Sequence, residues 1–457
     1  MKVRPDTYCI TKRERWAYFG FSFGQIIFYT TMASFVQIFM TDRGISAAAV
    51  GIILLLARIW DAVNDPMFGV IVTRSHLKGG KYRPWLKLAP GLIFVFTILL
   101  FALPEGIPVR VKTILAAMFY IGWGMSYTVS DVPYFSVVSV MSGDVAERDN
   151  TMSRGRLFTM LGSALVTVIM PLMYPKVGWF IAAACMAVAA LFFMQPFGFV
   201  AKERFADTVS AVTLKDIFSA LFSNRYLVIL CVGLLVGNLT NTTTTVSGYF
   251  AIYNLGGAEK IPLITTIPLL CSVVFVGFVP LLIRRFDKFH LYLACFGCAI
   301  LASIGIYLTG YDNLMLFVAF SMVRTTAIMF LNTFIALFIV DCAEYSRYKT
   351  GKDVTAASVS LQTFTTKGIS AISAAVGMGV LGLAGFVDGA NAVQPQAVTD
   401  ILFFLISIGP VIGLVSGFVI LLCGYKLRDR YVQTMALVNR GELDKEKAQE
   451  LLPERLR

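Results

Sequence analysis

The chain has little charge and almost no histidine. Charged side chains make up 14% of its 457 residues, whereas a soluble domain carries about 25%. Only two histidines are present, which excludes a histidine-rich metal site. The sequence also offers no Ser–His–Asp set and no cofactor motif, so an enzyme and a bound cofactor are not expected.

Cysteine is scattered rather than clustered. Most of the eight cysteines lie in apolar runs, and the C-x-x-C pair Cys295 and Cys298 falls within a segment of membrane depth. Free cysteines commonly behave as small apolar core residues. We therefore predict a packing role for them.

Apolar residues, by contrast, are abundant. They make up 57% of the chain, and the mean hydropathy is +0.74. Runs close to the ~20 residues needed to cross a bilayer recur along the whole length. Segment 1 is interpreted as a span rather than a signal peptide, because its apolar run continues to Met40 without a small-residue cleavage site. The twelve predicted spans, segments 1 to 12, are 16–40, 48–73, 86–103, 112–141, 156–175, 178–200, 226–253, 262–283, 290–309, 314–340, 355–384 and 397–425.

Lysine and arginine are unevenly distributed between the connections. Of 39 such residues, five lie in the odd-numbered connections, and 30 lie in the N-terminal segment, the even-numbered connections and the C-terminal tail. Because cytoplasmic loops carry the excess of Lys and Arg, both termini are predicted to be cytoplasmic. The same distribution explains the net charge of +12 without a nucleic-acid partner.

The longest connection, 201–225, divides the chain into two halves of six spans. We predict an N-terminal six-helix bundle over 1–200, a cytoplasmic middle loop over 201–225, a C-terminal six-helix bundle over 226–425 and a cytoplasmic tail over 426–457. Short basic connections recur at corresponding places, "KGGKYRPW" after segment 2 and "RRFDKFH" after segment 8. Two parallel halves with binding near the midplane are typical of a carrier. The polar tail is expected to be partly helical and solvated.

Seven ionisable residues lie at membrane depth. Each costs at least ~2.5–3.5 kcal/mol there, which makes each one a functional candidate. They are Arg58, Asp61, Asp65, Asp131, Arg156, Arg324 and Lys367.

Segment 2 contains the densest group, "RIWDAVNDP". Arg58, Asp61 and Asp65 are spaced i, i+3 and i+7 and so share one helical face, beside Asn64. Two carboxylates one turn apart repel each other, and a bound cation would relieve both the repulsion and the cost of burial. Oxygen-rich sites of this kind suit hard cations. The alternative is an internal salt bridge between Arg58 and Asp61, although one arginine cannot neutralise two aspartates.

Segment 4 contains "GMSYTVSDVPYF", which places Tyr127, Thr128, Asp131 and Phe135 on one side of a helix. A carboxylate beside aromatic faces is a common arrangement for holding sugars, through hydrogen bonds to hydroxyl pairs and stacking on C–H faces. The alternative is that Asp131 pairs with Arg156, and such pairing does not exclude substrate binding.

Segments 11 and 7 are also polar at membrane depth. In "LQTFTTKGIS" of segment 11, Lys367 can balance the acids of segments 2 and 4, unless it snorkels to the interface. In "GNLTNTTTTVSGYF" of segment 7, the density of polar residues suggests the wall of a hydrated cavity. Threonines in spans also bond to their own backbone, which is the alternative account.

Three of these stretches carry a resemblance to a known family. "ARIWDAVNDP", "YTVSDVP" and "QTFTTKG" resemble the glycoside–pentoside–hexuronide:cation symporters of the melibiose permease type, and "GGKYRPW" follows segment 2 at the matching place. The resemblance extends over segments 1 to 12. It implies the major facilitator superfamily fold, in which two pseudo-symmetric six-helix bundles surround a central cavity, and transport by alternating access.

The resemblance also implies roles for individual residues. The family's cation site corresponds here to Asp61, Asn64, Asp65 and Thr128, with the two aspartates as the metal ligands. Its substrate site corresponds to Tyr127, Asp131, Arg156, Thr363 and Lys367. Its gate contacts at the inner end of segment 10 correspond to Asp341 and Glu344.

Some positions depart from the melibiose permease type. Gln25 stands where that type has a sugar-binding aspartate, and Phe135 and Asn332 stand where it has tryptophans. An additional base, Arg324, lies near the middle of segment 10 in "FSMVRTTAIMF". Losing an acid and gaining a base both make the cavity more positive, so we hypothesise an anionic substrate held by Arg324 or Arg156. The alternative is that Arg324 pairs with an internal acid or caps a helix.

The expected function is secondary active transport, in which a cation, Na⁺ or H⁺, drives symport of a sugar or glycoside, including acidic ones such as hexuronides. Na⁺ is favoured because hydroxyl and amide oxygens are retained at the cation site. The expected partners are the solute, the coupling ion and membrane lipid, and the expected form is a monomer in the bacterial inner membrane.

Two other functions are weighed against this one. A sodium-coupled carrier of an amphipathic or zwitterionic solute, such as a lysolipid, would be favoured by a wide lateral opening and an apolar tunnel. A sensor or a structural membrane protein would not need paired acids at mid-membrane.

Overall fold

The computed structural model describes residues 10–75, 79–205, 224–239, 242–283, 285–350, 355–389, 392–439 and 442–453. These residues form helices joined by turns, and no strand occurs among them. The predicted all-α membrane fold is therefore confirmed.

The helices of the first half are α1 (Lys12–Asp42), α2 (Ala47–Arg74), α3 (Arg83–Phe101), α4 (Val109–Met141), α5 (Val145–Val177) and α6 (Trp179–Val200). The helices of the second half are α7 (Arg225–Leu239), α8 (Thr243–Tyr253), α9 (Ile261–Val276), α10 (Val279–Ile283), α11 (Lys288–Thr309), α12 (Leu314–Thr350), α13 (Thr355–Leu383), α14 (Gln396–Ser407) and α15 (Gly409–Gly424). Two further helices lie in the C-terminal tail, α16 (Asp429–Asn439) and α17 (Lys445–Leu451).

Among the described residues, ten helical stretches are long and apolar enough to cross a membrane. The helices α4 and α13 are equally long but carry the polar motifs of segments 4 and 11. Together these elements are consistent with the predicted twelve spans.

Three predicted spans are divided in two. Segment 7 corresponds to α7 and α8, segment 8 to α9 and α10, and segment 12 to α14 and α15. The break in segment 12 has a clear cause, because Pro410 near the start of α15 has no backbone N–H to continue the hydrogen-bond ladder. Carbonyl groups freed in this way at membrane depth need other donors.

The chain packs as two compact units. Unit 1 comprises Met1–Ala211, Gly248–Pro262 and Met378–Thr399, and unit 2 comprises Val212–Ser247, Leu263–Gly377 and Asp400–Arg457. Unit 1 therefore contains α1 to α6 together with two short stretches from the second half of the sequence. The four domain ranges drawn from the sequence remain a prediction.

Within each unit, the first and last spans of that half pack together at a glycine. In unit 1, α1 packs on α6, and a Cβ added at Gly24 would lie 2.4 Å from the carbonyl oxygen of Ala190. In unit 2, α7 packs on α15, and a Cβ added at Gly417 would lie 2.8 Å from Cα of Gly237. Small residues allow helix backbones to approach closely in membranes. The same device is thus used at corresponding helix pairs of the two halves.

Hydrogen bonds near the two basic connections noted in the sequence join the third and sixth spans of each half. Glu203, just after α6, accepts a hydrogen bond from the backbone N–H of Arg83 at 2.8 Å, and Arg83 Nε donates to the carbonyl of Gly198 at 3.1 Å. In unit 2, Asp429 after α15 accepts from the backbone N–H of Lys288 at 3.0 Å. Each acid satisfies an N–H group that the start of a helix leaves unpaired. The third and sixth spans of each half are held together in this way.

The C-terminal tail is not a solvated segment, and that expectation was wrong. Its helices α16 and α17 form as the expected helical content suggests, but Val432, Met435 and Leu452 are buried in the apolar core of unit 2. Asn439 also donates to Oε2 of Glu344 on α12 at 2.8 Å. The tail has a polar composition overall, but a few apolar residues per helix are enough to form an apolar face.

Candidate functional site

The helices α2 and α4 bring candidate cation-binding residues together in unit 1. The Thr128 hydroxyl donates to Oδ1 of Asp65 at 2.7 Å, and it lies 3.3 Å from the carbonyl oxygen of Gly124. Thr128 is buried and Asp65 is half-buried. A carboxylate, a hydroxyl and a carbonyl oxygen therefore meet in one small region, and these are the ligand types that hard cations prefer.

Asp61, one turn earlier on α2, has a different partner. Nη1 of Arg58 lies 3.3 Å from Oδ2 of Asp61, and the two side chains are only 20% and 16% exposed. Tyr29 adds a side-chain hydrogen bond to the Arg58 guanidinium. The internal salt bridge considered from the sequence is therefore present, and it accompanies the contact between Asp65 and Thr128 rather than replacing it.

Gly124 allows α4 to approach the Asp61 carboxylate. A Cβ at this position would lie 2.9 Å from Oδ1 of Asp61, so any other residue would displace the carboxylate or the helix. The glycine that precedes "MSYTVSD" in segment 4 is explained by this close approach.

Asn64 is half-buried on the same helix. Its Nδ2 has no hydrogen-bond partner among the described residues, so the amide retains bonding capacity. Within the described ranges, no three His, Cys, Asp or Glu side chains gather at one point. An ion bound here would therefore need hydroxyl, amide or backbone oxygens in addition to carboxylates.

A cavity of about 230 Å³ lies in unit 1 beside α4. Five residues predicted from the sequence to bind substrate line it, namely Gln25, Tyr127, Asp131, Phe135 and Arg156. Six further residues complete its wall, namely Tyr18, Ser22, Ile26, Tyr134, Met152 and Thr159. The wall thus combines one carboxylate and one guanidinium with aromatic rings.

Gln25 holds Asp131 in place at the edge of this cavity. Its Nε2 lies 3.2 Å from Oγ of Ser130 and 3.2 Å from Oδ1 of Asp131. Gln25 and Ser130 are both buried. A glutamine at this position keeps a polar contact with Asp131 but adds no second negative charge.

The sequence reasoning missed much of the cavity wall on α1. Tyr18 stacks on Tyr134 with ring centroids 4.8 Å apart, and Ser22 shares a hydrogen bond with the Tyr134 hydroxyl. Tyr18, Ser22 and Gln25 are spaced i, i+4 and i+7, which is one helical face. Once Gln25 was singled out, this spacing could have identified the other two.

Arg324 has a structural partner in unit 2. It is 5% exposed, and its Nη1 donates to the carbonyl of Ile406 near the end of α14. Ile406 lies four residues before Pro410, so its carbonyl is the one that the missing proline N–H leaves without a helical donor. The Thr242 hydroxyl lies 3.5 Å from the neighbouring carbonyl oxygen of Leu405. From the sequence, an anionic substrate, an internal acid and a helix end were the candidate partners of Arg324. The observed contact corresponds to the helix end.

The other predicted residues of unit 2 lie on α12 and α13. Asn332 is exposed, while Asp341 is buried and lies 2.7 Å from Nζ of Lys288. Glu344 accepts from Asn439 of the tail, as described above. The assignment of Asp341 and Glu344 to a gate remains a prediction. The side chains of Thr363 and Lys367 lie outside the described part of the structure.

Most of the chain matches a known family of proteins. Residues 18–429 match the family described as MFS/sugar transport protein. The chain belongs to this family. The predicted resemblance to major-facilitator sugar symporters is confirmed, and so is the prediction that the protein is not an enzyme. The protein is an integral membrane transporter of this sugar-transport type.

Individual relatives are similar over most of their length. A putative sulfoquinovose importer from Salmonella typhimurium is 29% identical over 406 residues, which cover 85% of this chain and 82% of the importer. An isoprimeverose transporter from Lactiplantibacillus pentosus is 26% identical over 403 residues, which cover 85% and 83%. The crystal structure of the nucleoside transporter NupG matches with a TM-score of 0.68 at 11% identity, covering 90% of this chain and 98% of that one. This last likeness shows the fold alone.

Proposed function

We propose that this transporter is a symporter that couples a sugar or glycoside to a cation, Na⁺ in preference to H⁺. Asp65 and Thr128 would hold the cation, with Asp61 and Asn64 beside them. The solute would occupy the cavity next to Asp131. Na⁺ is preferred because hydroxyl and amide oxygens accompany the carboxylates, whereas a proton needs only one carboxylate.

The observation that carries this proposal is the place of α4 between the two sites. Thr128 donates to Asp65, and Asp131, three residues later on α4, lines the cavity. Residues at i and i+3 are neighbours on a helix surface. A cation that fixes Asp65 and Thr128 would therefore also orient Asp131 for the solute. Coupling of this kind is reciprocal, so the solute raises the cation affinity by the same factor.

For the solute we propose an acidic sugar, with Arg156 as the partner of its anionic group. Arg156 lines the same cavity as Asp131, and its side chain is exposed there. Arginine recognises carboxylates and sulfonates through paired hydrogen bonds. Arg324, the other candidate, is buried against the Ile406 carbonyl and is therefore not assigned to the solute. The name of the Salmonella relative, a putative importer of a sulfonated sugar, is in line with this choice.

The size of the cavity supports a compact solute. Its volume of about 230 Å³ is at or below the low end of the range for ligand pockets, which is ~300–1,000 Å³. Its wall is aromatic and polar rather than aliphatic. The amphipathic solute considered from the sequence, such as a lysolipid, would need a longer and more apolar space, so we place it second.

The membrane orientation and the transport cycle belong to the same proposal. The distribution of lysine and arginine supports a bacterial inner-membrane protein with both termini in the cytoplasm. The loaded carrier would alternate between outward-open and inward-open states as a monomer. Asp341 and Glu344 would form the inner gate, and the assignment of Thr363 and Lys367 to substrate binding stays a prediction from the family resemblance.

The test is uptake into proteoliposomes of two solutes that differ only at C6, 4-nitrophenyl β-D-glucoside with a hydroxymethyl group and 4-nitrophenyl β-D-glucuronide with a carboxylate. The proposal predicts that an inward Na⁺ gradient drives uptake and that the glucuronide is preferred. Replacing Na⁺ by choline at equal ionic strength should abolish the stimulation.

Variants assign the effect to the proposed sites. Asp131→Asn should reduce uptake of both glycosides, while Glu105→Gln, which removes an exposed carboxylate in a loop, should leave uptake unchanged. Uptake that neither a Na⁺ nor a proton gradient stimulates would refute the symport proposal.

A further inference from the structure

Unit 2 carries an apolar groove between α9, α11 and α12. The groove has a volume of about 600 Å³, and its wall includes Phe275, Leu291, Val323 and Phe330. All three helices belong to stretches that are apolar enough to cross a membrane. A groove of this size between spans accommodates a hydrocarbon chain, because apolar surface at membrane depth has no water to contact.

A basic pocket is lined by residues that are neighbours in sequence of the groove residues. The pocket has a volume of about 610 Å³, and its basic residues are Arg285, His290, Arg428 and Arg430. At two points in the sequence, a residue that lines the groove is next to a residue that lines the pocket. Leu282 of the groove is followed by Ile283 of the pocket, and His290 of the pocket is followed by Leu291 of the groove. Apolar lining residues of the groove and lining residues of the basic pocket are therefore consecutive in the chain at these two points.

The acids in this pocket already serve other groups. Asp287 accepts from the backbone N–H groups of Phe289 and His290 at 3.0 and 3.2 Å, which caps the start of α11. Asp429 accepts from the backbone N–H of Lys288 and lies 3.2 Å from its Nζ. The pocket lining holds three arginines, Arg285, Arg428 and Arg430, against these two aspartates, so its net charge is positive.

Arg428 in particular retains hydrogen-bonding capacity. Its Nη1 is buried, has no hydrogen-bond partner among the described residues, and lies 3.9 Å from Oδ1 of Asp287. Its guanidinium carbon lies 4.1 Å from the centroid of the Phe289 ring, which fixes the group at the base of α11. Arg285 and Arg430 are exposed beside it. A phosphate in the pocket would receive charge-assisted hydrogen bonds from such a set.

Two aromatic residues of the pocket, one of them exposed, indicate a position at a membrane boundary. Phe286 is 57% exposed and lies next to Arg285, just before α11 begins. Tyr431 also lines the pocket. Aromatic side chains next to basic ones at the end of a span are typical of the membrane–water interface.

We propose that the groove and the pocket together bind one anionic phospholipid, with the phosphate at Arg285, Arg428 and Arg430 and an acyl chain along α9, α11 and α12. Basic pockets at the cytoplasmic ends of spans bind anionic headgroups. If the orientation inferred from lysine and arginine holds, this lipid belongs to the cytoplasmic leaflet. The site is separate from the solute cavity of unit 1 and does not depend on the proposed symport.

The test is native mass spectrometry of the detergent-purified full chain with two lipids that have the same acyl chains. Palmitoyl-oleoyl phosphatidylglycerol should remain bound at least several-fold more than palmitoyl-oleoyl phosphatidylcholine. The variant Arg285→Gln/Arg428→Gln/Arg430→Gln should lower phosphatidylglycerol binding to the level of phosphatidylcholine. The control Lys12→Gln/Arg13→Gln/Lys202→Gln removes the same charge from exposed positions of unit 1 and should retain the preference.

A second pair of variants tests the groove itself. Ala294→Phe places a ring in the groove at an exposed position of its wall and should weaken binding of phosphatidylglycerol. Leu301→Phe places a ring at an exposed position of the same helix outside the groove and should have no effect. Should the triple variant fail to fold, Arg285→Gln alone removes an exposed charge and should still weaken the preference.

A soluble phosphate is distinguished by competition. Glycerol 1-phosphate should not displace phosphatidylglycerol, because it lacks the acyl chains. Displacement at equal concentration would assign the pocket to a soluble phosphate and overturn the lipid proposal. Equal binding of the two lipids, or loss of the preference in the unit 1 control, would overturn it as well.

Discussion

Arg58 in unit 1 and Arg324 in unit 2 are both arginines at membrane depth, yet their partners are of different kinds. Arg58 pairs with a carboxylate, Asp61, on its own helix. Arg324 donates to a backbone carbonyl, that of Ile406, which Pro410 leaves without its helical donor. The charge of Arg58 therefore belongs to a polar network beside the candidate cation site. The guanidinium of Arg324 instead supplies the hydrogen bond that the Ile406 carbonyl lacks at the helix break.

This difference shows that a buried charge is not by itself a ligand site. Placing an arginine in a span is costly in both cases. The two arginines differ in the group that pairs with the guanidinium. Arg58 pairs with a side chain, for which a solute or an ion can compete, whereas Arg324 pairs with a backbone carbonyl that the fold requires. Variants at Asp65, Arg156, Arg324 and Gly124 test that distinction.

The largest effect is expected at Asp65. Asp65→Asn, or Asp65→Cys, removes the carboxylate that accepts from Thr128, while Arg58 and Asp61 keep each other. A bound cation would then lack its anionic ligand, and an uncompensated buried charge costs roughly 3–5 kcal/mol, so cation-driven uptake should fall by about 100-fold or more. Binding of the solute, measured by equilibrium titration, should persist at reduced affinity. Sodium-stimulated uptake that survives in this variant would remove Asp65 from the cation site.

Arg156 should determine charge selectivity. Arg156→Gln removes the proposed partner of the anionic group, and a hydrogen bond to a charged group contributes about 1.5–3 kcal/mol. The KM for 4-nitrophenyl β-D-glucuronide should therefore rise by about 10-fold or more relative to that for the glucoside. An equal change for both glycosides would contradict the assignment.

Arg324 and Pro410 should be energetically coupled. Arg324→Ala leaves the Ile406 carbonyl unpaired, whereas Pro410→Ala supplies the missing N–H. Since an unpaired buried carbonyl costs about 1–3 kcal/mol, Arg324→Ala should destabilise the protein more with Pro410 present than with alanine at that position. Thermal unfolding of the wild type, both single variants and the double variant measures this coupling. Additive effects would contradict this coupling, and a loss of uptake confined to the glucuronide would assign Arg324 to the solute.

The smallest effect is expected at Gly124. A methyl group there meets Oδ1 of Asp61 at 2.9 Å, and displacing one flexible side chain should cost about 1 kcal/mol. Gly124→Ala should weaken Na⁺ binding by several-fold, measured by isothermal titration. Gly91→Ala on α3, where an added Cβ meets nothing within 4 Å, is the matched control and should leave Na⁺ affinity unchanged.

The sequence predicted the fold, because the signals for spans and helix faces are local, while the roles of the candidate site residues stay predictions. Long apolar runs define spans, and the spacing of Asp61 and Asp65 on one helix face follows from the helix period alone. The contact between Thr128 and Asp65 was anticipated through the family resemblance and appears at 2.7 Å. The cavity residues Gln25, Asp131 and Arg156 were anticipated in the same way.

The remaining features depend on contacts between distant parts of the chain. The partner of Arg324 is separated from it by 82 residues, and no pattern around position 324 indicates that a carbonyl lacks a donor there. The buried face of α16 depends on α12, which lies far away in sequence. A proline such as Pro410 is a helix breaker, but no local pattern connects it to Arg324.

In the proposed mechanism, the cation site and the solute site are coupled through α4. This coupling is tested most directly by titrating the purified protein with the preferred glycoside in NaCl and in choline chloride, and then with Na⁺ in the presence and absence of that glycoside. We expect Na⁺ to raise the glycoside affinity, the glycoside to raise the Na⁺ affinity by the same factor, and Thr128→Val to reduce both factors together. A glycoside affinity that is unchanged by Na⁺ and by pH in the wild type would contradict the account.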